Sequence, residues 1–178
     1  MIIKTGGIPV ELWDIYDKNR NIAGRTHERG TPLSDGDYHL VVSIWIINSN
    51  QEILLAKRHP DKHYPNMWEC PGGSALAGET SLEAALREVK EEIGIDLSCS
   101  DGELMKSERR HHDFRDVWLF THDFSLEDAV LQPEEVTDAK WVTILELESM
   151  FKDGIVVPSL GYYKSFFLEN IQRQEGVL

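Results

Sequence analysis

Cysteine is scarce. The chain holds two, Cys70 and Cys99, in 178 residues. Their placement fits neither a structural metal site nor a disulfide framework. Long apolar runs are missing too, and none reaches the roughly 18 residues of a membrane-spanning helix. The first residues, MIIKTGGIPVELWD, lack the basic start, apolar run and small-residue cleavage site of a secretory leader. A cytoplasmic protein with no membrane contact is the expectation. Cations are in the minority, 18 Lys and Arg against 31 Asp and Glu, for a net charge of −13. That surplus argues against nucleic acid or anionic membranes as partners. A small polyanionic substrate stays possible, if a metal ion or a few placed Lys and Arg offset the repulsion locally. No internal repeat, low-complexity tract or linker interrupts the chain.

What is present suffices for one domain, residues 1–178, with its own core. The stretch ELWDIYDKNRNIAGRTHER reads as two short strands around a polar turn at residues 17–21, a hairpin extension over about 1–30. This extension either covers the core or forms a homodimer interface. Residues 38–48, YHLVVSIWIIN, are nearly continuous in apolar and β-branched side chains, the pattern of a strand buried on both faces. SNQE then turns the chain into ILLAKR, its expected hairpin partner. HPDKHYPNMWECPGG, with three prolines and a glycine pair, reads as loop. Further strands are expected over about 103–111, 116–124 and 138–144. LELESMFKDG and LGYYKSFFLENIQRQ read as helices.

The clearest helix runs from Thr80 to Ile93. Leu82, Ala85, Leu86, Val89 and Ile93 recur at i, i+3, i+4 and i+7 and make one apolar stripe. Thr80 or Ser81 can cap its start, and Gly94 stands where a helix-ending glycine belongs. On the opposite side Glu88, Glu91 and Glu92 crowd together, although like charges at this spacing repel. One reading is a solvated face, with Arg87 and Lys90 as partners. The other is a metal site, because hard divalent cations take carboxylate oxygens together with substrate phosphates. Such ions remove the repulsion and polarise a diphosphate for attack by water.

The wider context favours the metal. From Gly73 the chain reads GSALAGETSLEAALREVKEEIGI, that is G-x5-E-x7-R-E-U-x-E-E-x-G-U with U apolar. This resembles the signature box of the Nudix hydrolase family at every specified position, over 73–95, with WECPGG as a similar lead-in. The resemblance implies an α/β fold: the Nudix α/β/α sandwich, with a mixed sheet and here an N-terminal hairpin. It implies Mg²⁺ or Mn²⁺ on Glu88, Glu91 and Glu92, joined by the Gly73 carbonyl. One of these glutamates, Glu88 a candidate, can instead orient or deprotonate the attacking water. Arg87 is expected to pair with Glu79 or a ligand carboxylate and hold it in place. The implied chemistry is hydrolysis of a diphosphate, commonly in a nucleoside diphosphate derivative.

The N-terminal half, through YHLVVSIWIINSNQEILLAKR and PNMW, resembles the isopentenyl diphosphate isomerase branch of the same superfamily. That branch moves a proton with a cysteine and a glutamate. Here the cysteine position is Gly72, Cys70 lies two residues away, Ser74 replaces a histidine, and an early metal histidine falls near Pro32. His39 matches, and Asp116 falls where an essential glutamate is expected. The complete glutamate box therefore makes hydrolysis the leading expectation. An isomerase and a non-catalytic nucleotide sensor are the alternatives. Lys57 and Arg58, after the second hairpin strand, are candidate phosphate contacts, and Lys62 is a weaker one. Glu135 lies on a loop that supplies an extra acid in some family members, and Asp116 is a second candidate. His111 and His112 have no partner at ligand spacing and read as surface or packing residues.

Overall fold

The polar turn at 17–21 is flanked by strands, as its sequence predicts. The computed structural model describes residues 2–3, 10–163 and 167. Strand β1 (Ile2–Ile3) lies beside β2 (Val10–Tyr16), which pairs antiparallel with β3 (Ile22–Glu28). Asp17 closes the turn by accepting the backbone amides of Asn19 and Asn21 at 2.8 and 2.9 Å. Arg20 holds a left-handed backbone there, with φ 66°.

The main sheet is built from β4 (His39–Ile47), β5 (Ile53–Arg58), β6 (Trp68–Glu69), β7 (Gly72–Ser74), β8 (Gly102–Arg109), β9 (Asp113–Thr121) and β10 (Val136–Val142). Its order is β10-β5-β4-β9-β8, with β6 on β5 and β7 on β4. The β4–β9 pair is parallel and the others are antiparallel, so the sheet is mixed. One expectation needs correction. Residues 59–73 are not all loop, because they contain β6 and the start of β7. The hairpin between β4 and β5 is paired only at Ile47–Ile53, since β7 takes the edge of β4 at Val41, Val42 and Ser43.

Both faces of β4 are covered, as its composition required. Leu40, Val42, Ile44 and Ile46 pack with Ala84, Ala85, Val89 and Ile93 of helix α1 (Ser81–Ile93). Trp45, on the other face, packs with Leu147 and Met150 of helix α2 (Ile144–Lys152). Burying a side chain of this size contributes about 1.5–3 kcal/mol, so each helix is seated by its apolar stripe. Thr80 caps α1 in a reciprocal box with Glu83, and Gly94 ends it in the left-handed conformation at φ 81°. The second helix predicted near the C-terminus, over 160–174, lies mostly outside the described residues. No helix among the described residues is long and apolar enough to cross a membrane.

Candidate active site

Glu88, Glu91 and Glu92 sit in the C-terminal half of α1, toward the negative pole of the helix. Lys90 is the basic residue of that last turn. Its ammonium turns away, to the Gly94 carbonyl at 3.2 Å and Asp96 at 2.7 Å. Glu92 is buried, with 4% of its surface exposed. Burial, reinforced by Glu88, holds its carboxyl well above the usual range. Glu88 is pushed up to about 7, again chiefly by burial, against the pull of Arg87. Two acids are thus held where their ionised forms are under-compensated, which a bound cation would correct.

Arg87 organises the rest. Its Nε and Nη2 donate to the two carboxylate oxygens of Glu79 at 2.7 and 3.0 Å. Nη2 also donates to the Ser74 carbonyl at 3.0 Å, and Nη1 to Glu88 at 3.0 Å and Glu91 at 2.8 Å. Arg87 therefore meets both expected kinds of partner at once. Gly73 lies against the same group, and a Cβ there would overlap the Glu88 carboxylate. The Gly72 amide donates to Glu92 at 3.3 Å.

Glu88, Glu91, Glu92, Arg87 and Gly73 line one polar cleft of about 410 Å³, its open mouth included. Glu135, the candidate extra acid, also lines it. Its loop is tied to the helix end, where Gln132 N donates to Glu92 O at 3.1 Å and Glu135 N to Gln132 O at 3.0 Å. Lys62 enters from the loop after β5 and pairs with Glu135. As the side chains stand, no three His, Cys, Asp or Glu among the described residues are arranged to hold an ion. Glu91 is turned to Arg87 instead. The donor set still fits a hard divalent cation: carboxylate oxygens, those of Glu92 buried and those of Glu88 largely so, beside a glycine that leaves room.

Three candidates are not in this cleft. Asp116 is fully buried on β9 and receives both Nη atoms of Arg20, at 2.7 and 2.5 Å. It also bonds Ser81, at the first turn of α1. Glu88, Glu91 and Glu92 lie further along the helix, about 10–16 Å from Ser81 at 1.5 Å per residue. Arg58 is paired with Glu69 and donates to the His63 carbonyl at 2.6 Å, so it holds the 59–67 loop. Lys57 lies over the Trp68 ring, 5.8 Å from its centroid. Conversely, the cleft includes Glu11 and Arg29 of the hairpin, which the linear sequence did not single out. Only the docking of the hairpin on the box brings them there.

A second cavity of about 480 Å³, mouth included, shares Gly72 and Gly73 with the first and is lined by Ser43, Cys70, Arg110 and Arg115. Cys70 is buried, and burial pushes its thiol far up.

A mixed sheet between two helices, with an acid-rich cleft at the end of one helix, is an α/β enzyme scaffold. The NUDIX domain model matches residues 37–159, and the chain belongs to that family and is a Nudix hydrolase. An uncharacterised Nudix hydrolase of Listeria monocytogenes is 42% identical over 163 residues, covering 90% of this chain and 96% of its own. An isopentenyl-diphosphate Delta-isomerase of Aromatoleum aromaticum is 29% identical over 148 residues, covering 78% and 74%. The crystal structure of DR0079 from Deinococcus radiodurans superposes with a TM-score of 0.68 at 23% identity, covering 83% of this chain and 92% of that one.

Proposed function

We propose that the chain hydrolyses a diphosphate linkage in a small organic diphosphate, such as a nucleoside diphosphate derivative, with Mg²⁺ or Mn²⁺. The observation that carries this reading is the juxtaposition of Glu88 and Glu92, both under-compensated, with Glu91 and Gly73 at one cleft. Glu88, Glu91, Glu92 and the Gly73 carbonyl would hold the ion, which when bound polarises the diphosphate toward water. Arg87 fixes the directions of Glu79, Glu88 and Glu91 through four hydrogen bonds. In the alternative assignment Glu91 and Glu92 hold the ion, and Glu88 orients the attacking water or takes its proton. Glu135 adds a carboxylate from the opposite wall, where Lys62 keeps it in register. The second cavity, which shares Gly72 and Gly73 with the first as lining residues, offers room for the rest of the substrate.

The isomerase relative and the N-terminal half support a second reading, proton transfer on an allylic diphosphate. It needs a thiol that reacts in the cleft. Cys70 packs with Trp45 and Trp68, and its raised pKa opposes thiolate formation. One experiment separates the readings. The protein is incubated in ¹⁸O-water with Mg²⁺ or Mn²⁺ and a panel of nucleoside diphosphate derivatives, dinucleoside polyphosphates and isopentenyl diphosphate. Metal-dependent cleavage with label on one phosphate is expected, lost in Glu91→Gln and Glu92→Gln. Unchanged turnover in both variants would refute the hydrolase site. Isomer formation abolished by Cys70→Ala would install the second reading. Tight binding without turnover would instead indicate a sensor.

A further inference from the structure

The N-terminal hairpin precedes the residues that match the family model, yet it is fastened to the box. The Ala77 amide donates to the Leu12 carbonyl at 2.7 Å, and the Gly78 amide to the Asp14 carboxylate at 2.7 Å. Trp13 stacks on His39, with ring centroids 4.1 Å apart. Arg20, in the turn, reaches Asp116 in the main sheet. Pinned in this way, the hairpin presents its open end, Glu11 and Arg29, to the wall of the glutamate cleft.

The two residues hold each other. Arg29 N donates to Glu11 O at 3.0 Å, and Arg29 Nη1 to Glu11 Oε2 at 2.6 Å. Arg29 also faces Glu88 and Glu135 electrostatically. Neutralising the box acids by contact is the work of Arg87, whereas Arg29 bonds Glu11. Half of its side chain is exposed, 53%, and 37% of that of Glu11. A pair this wet contributes little on its own and is readily exchanged. A guanidinium fork matches phosphate oxygens in a bidentate manner, and such a charge-assisted contact is the stronger one.

We propose that Arg29 is a substrate-binding residue. When a diphosphate enters the cleft, Arg29 trades Glu11 for phosphate oxygens, so the hairpin forms a wall of the active site. Glu11 keeps the guanidinium aimed at the cleft until then. This rests on the diphosphate reading above. It also explains how a chain of net charge −13 draws a polyanion to a cleft lined with glutamates.

The test measures binding and turnover separately. Wild type, Arg29→Ala, Arg29→Lys and Glu11→Gln are titrated calorimetrically with methylenediphosphonate, an uncleavable probe, in the presence of Mg²⁺. KM and kcat are then measured on whichever diphosphate the wild type cleaves. Arg29→Ala is expected to weaken the probe, and raise KM, by about 10- to 100-fold, the loss of a charge-assisted hydrogen bond, with kcat nearly unchanged. Arg29→Lys should recover part of the loss. Glu11→Gln should bind as well as wild type or better, since it removes the competing carboxylate. If the pair only closed the hairpin, Arg29→Ala and Glu11→Gln would lower the melting temperature alike and leave binding alike. That result, or wild-type affinity in Arg29→Ala, overturns the proposal. Should Arg29→Ala fail to fold, Arg29→Gln keeps most of the stem, and its loss or retention of probe affinity decides the matter. A wild type that neither binds the probe nor cleaves any diphosphate would fail the diphosphate reading itself, a different outcome.

Discussion

Acid should loosen this protein through His39. The ring is stacked on Trp13, and its Nδ1 is buried without a hydrogen-bond partner. Burial lowers its pKa from 6.5 to about 4; Asp113 opposes the shift, while Arg110, His27 and Arg29 assist it. Between those values the unfolded chain takes up a proton that the folded chain refuses. The contribution of neutral His39 to stability is therefore complete above pH 6.5 and is lost as the pH falls toward 4. At pH 5 the loss relative to pH 8 is about 2 kcal/mol by linkage. Urea unfolding at both pH values, for wild type and for His39→Phe, isolates the effect from other titrating groups. Phenylalanine keeps an aromatic ring beside Trp13 and removes the unpartnered nitrogen. The wild type should lose about 2 kcal/mol more than the variant on going to pH 5. Parallel losses would refute the reasoning and place the protonation of His39 in both states alike.

The two neighbouring glycines should respond differently to a methyl group. In Gly73→Ala the new Cβ displaces the Glu88 carboxylate, the free end of a flexible side chain. Unfolding stability should stay within about 1 kcal/mol while metal-dependent turnover falls, about 10-fold or more. In Gly72→Ala the Cβ meets the Val42 backbone carbonyl across the β4–β7 pair. A strand must move, and denaturant unfolding should show a loss of about 2 kcal/mol or more. Asp116→Asn leaves Arg20 without its anion. Burial alone would raise the Asp116 pKa, yet hydrogen bonds from Arg20, Ser81 and Ser107 hold it below the usual range. The variant should unfold about 2–3 kcal/mol more easily yet keep wild-type turnover at low temperature. Lost turnover in a folded Asp116→Asn would return that residue to the list of acids acting on substrate.

Local rules carried much of this fold. The α1 stripe, its Thr80 cap and its terminal Gly94 are all set by side chains within a few positions of one another. The hairpin at 17–21 is likewise local, made by Asp17 on its own turn. Where sequence reading failed, the deciding partner was distant. β6 and β7 are too short to show a period, and they exist because β5 and β4 offer edges. Arg58 looked free for phosphate, but Glu69 is eleven positions away and out of view of any motif. Asp116 was placed by likeness to another branch, while its partner, Arg20, is 96 positions away. Arg29 was missed for the converse reason. Its place in the cleft comes from backbone hydrogen bonds at residues 12 and 77, which no side-chain pattern announces.

The parallel pair β4–β9 aligns residue 39 with 113 and 47 with 121. Everything that builds the acid cleft from α1 and β7 lies in the chain between these two strands. On a ribosome, β4 and the box emerge well before β9 can close against them. During that interval the glutamates have a helix to sit on but no finished sheet beneath it. Parallel pairing across so long a separation is slow compared with helix formation. Assembly of the cleft should therefore track the arrival of β9, and a chain truncated before residue 113 should gain helix without gaining a site.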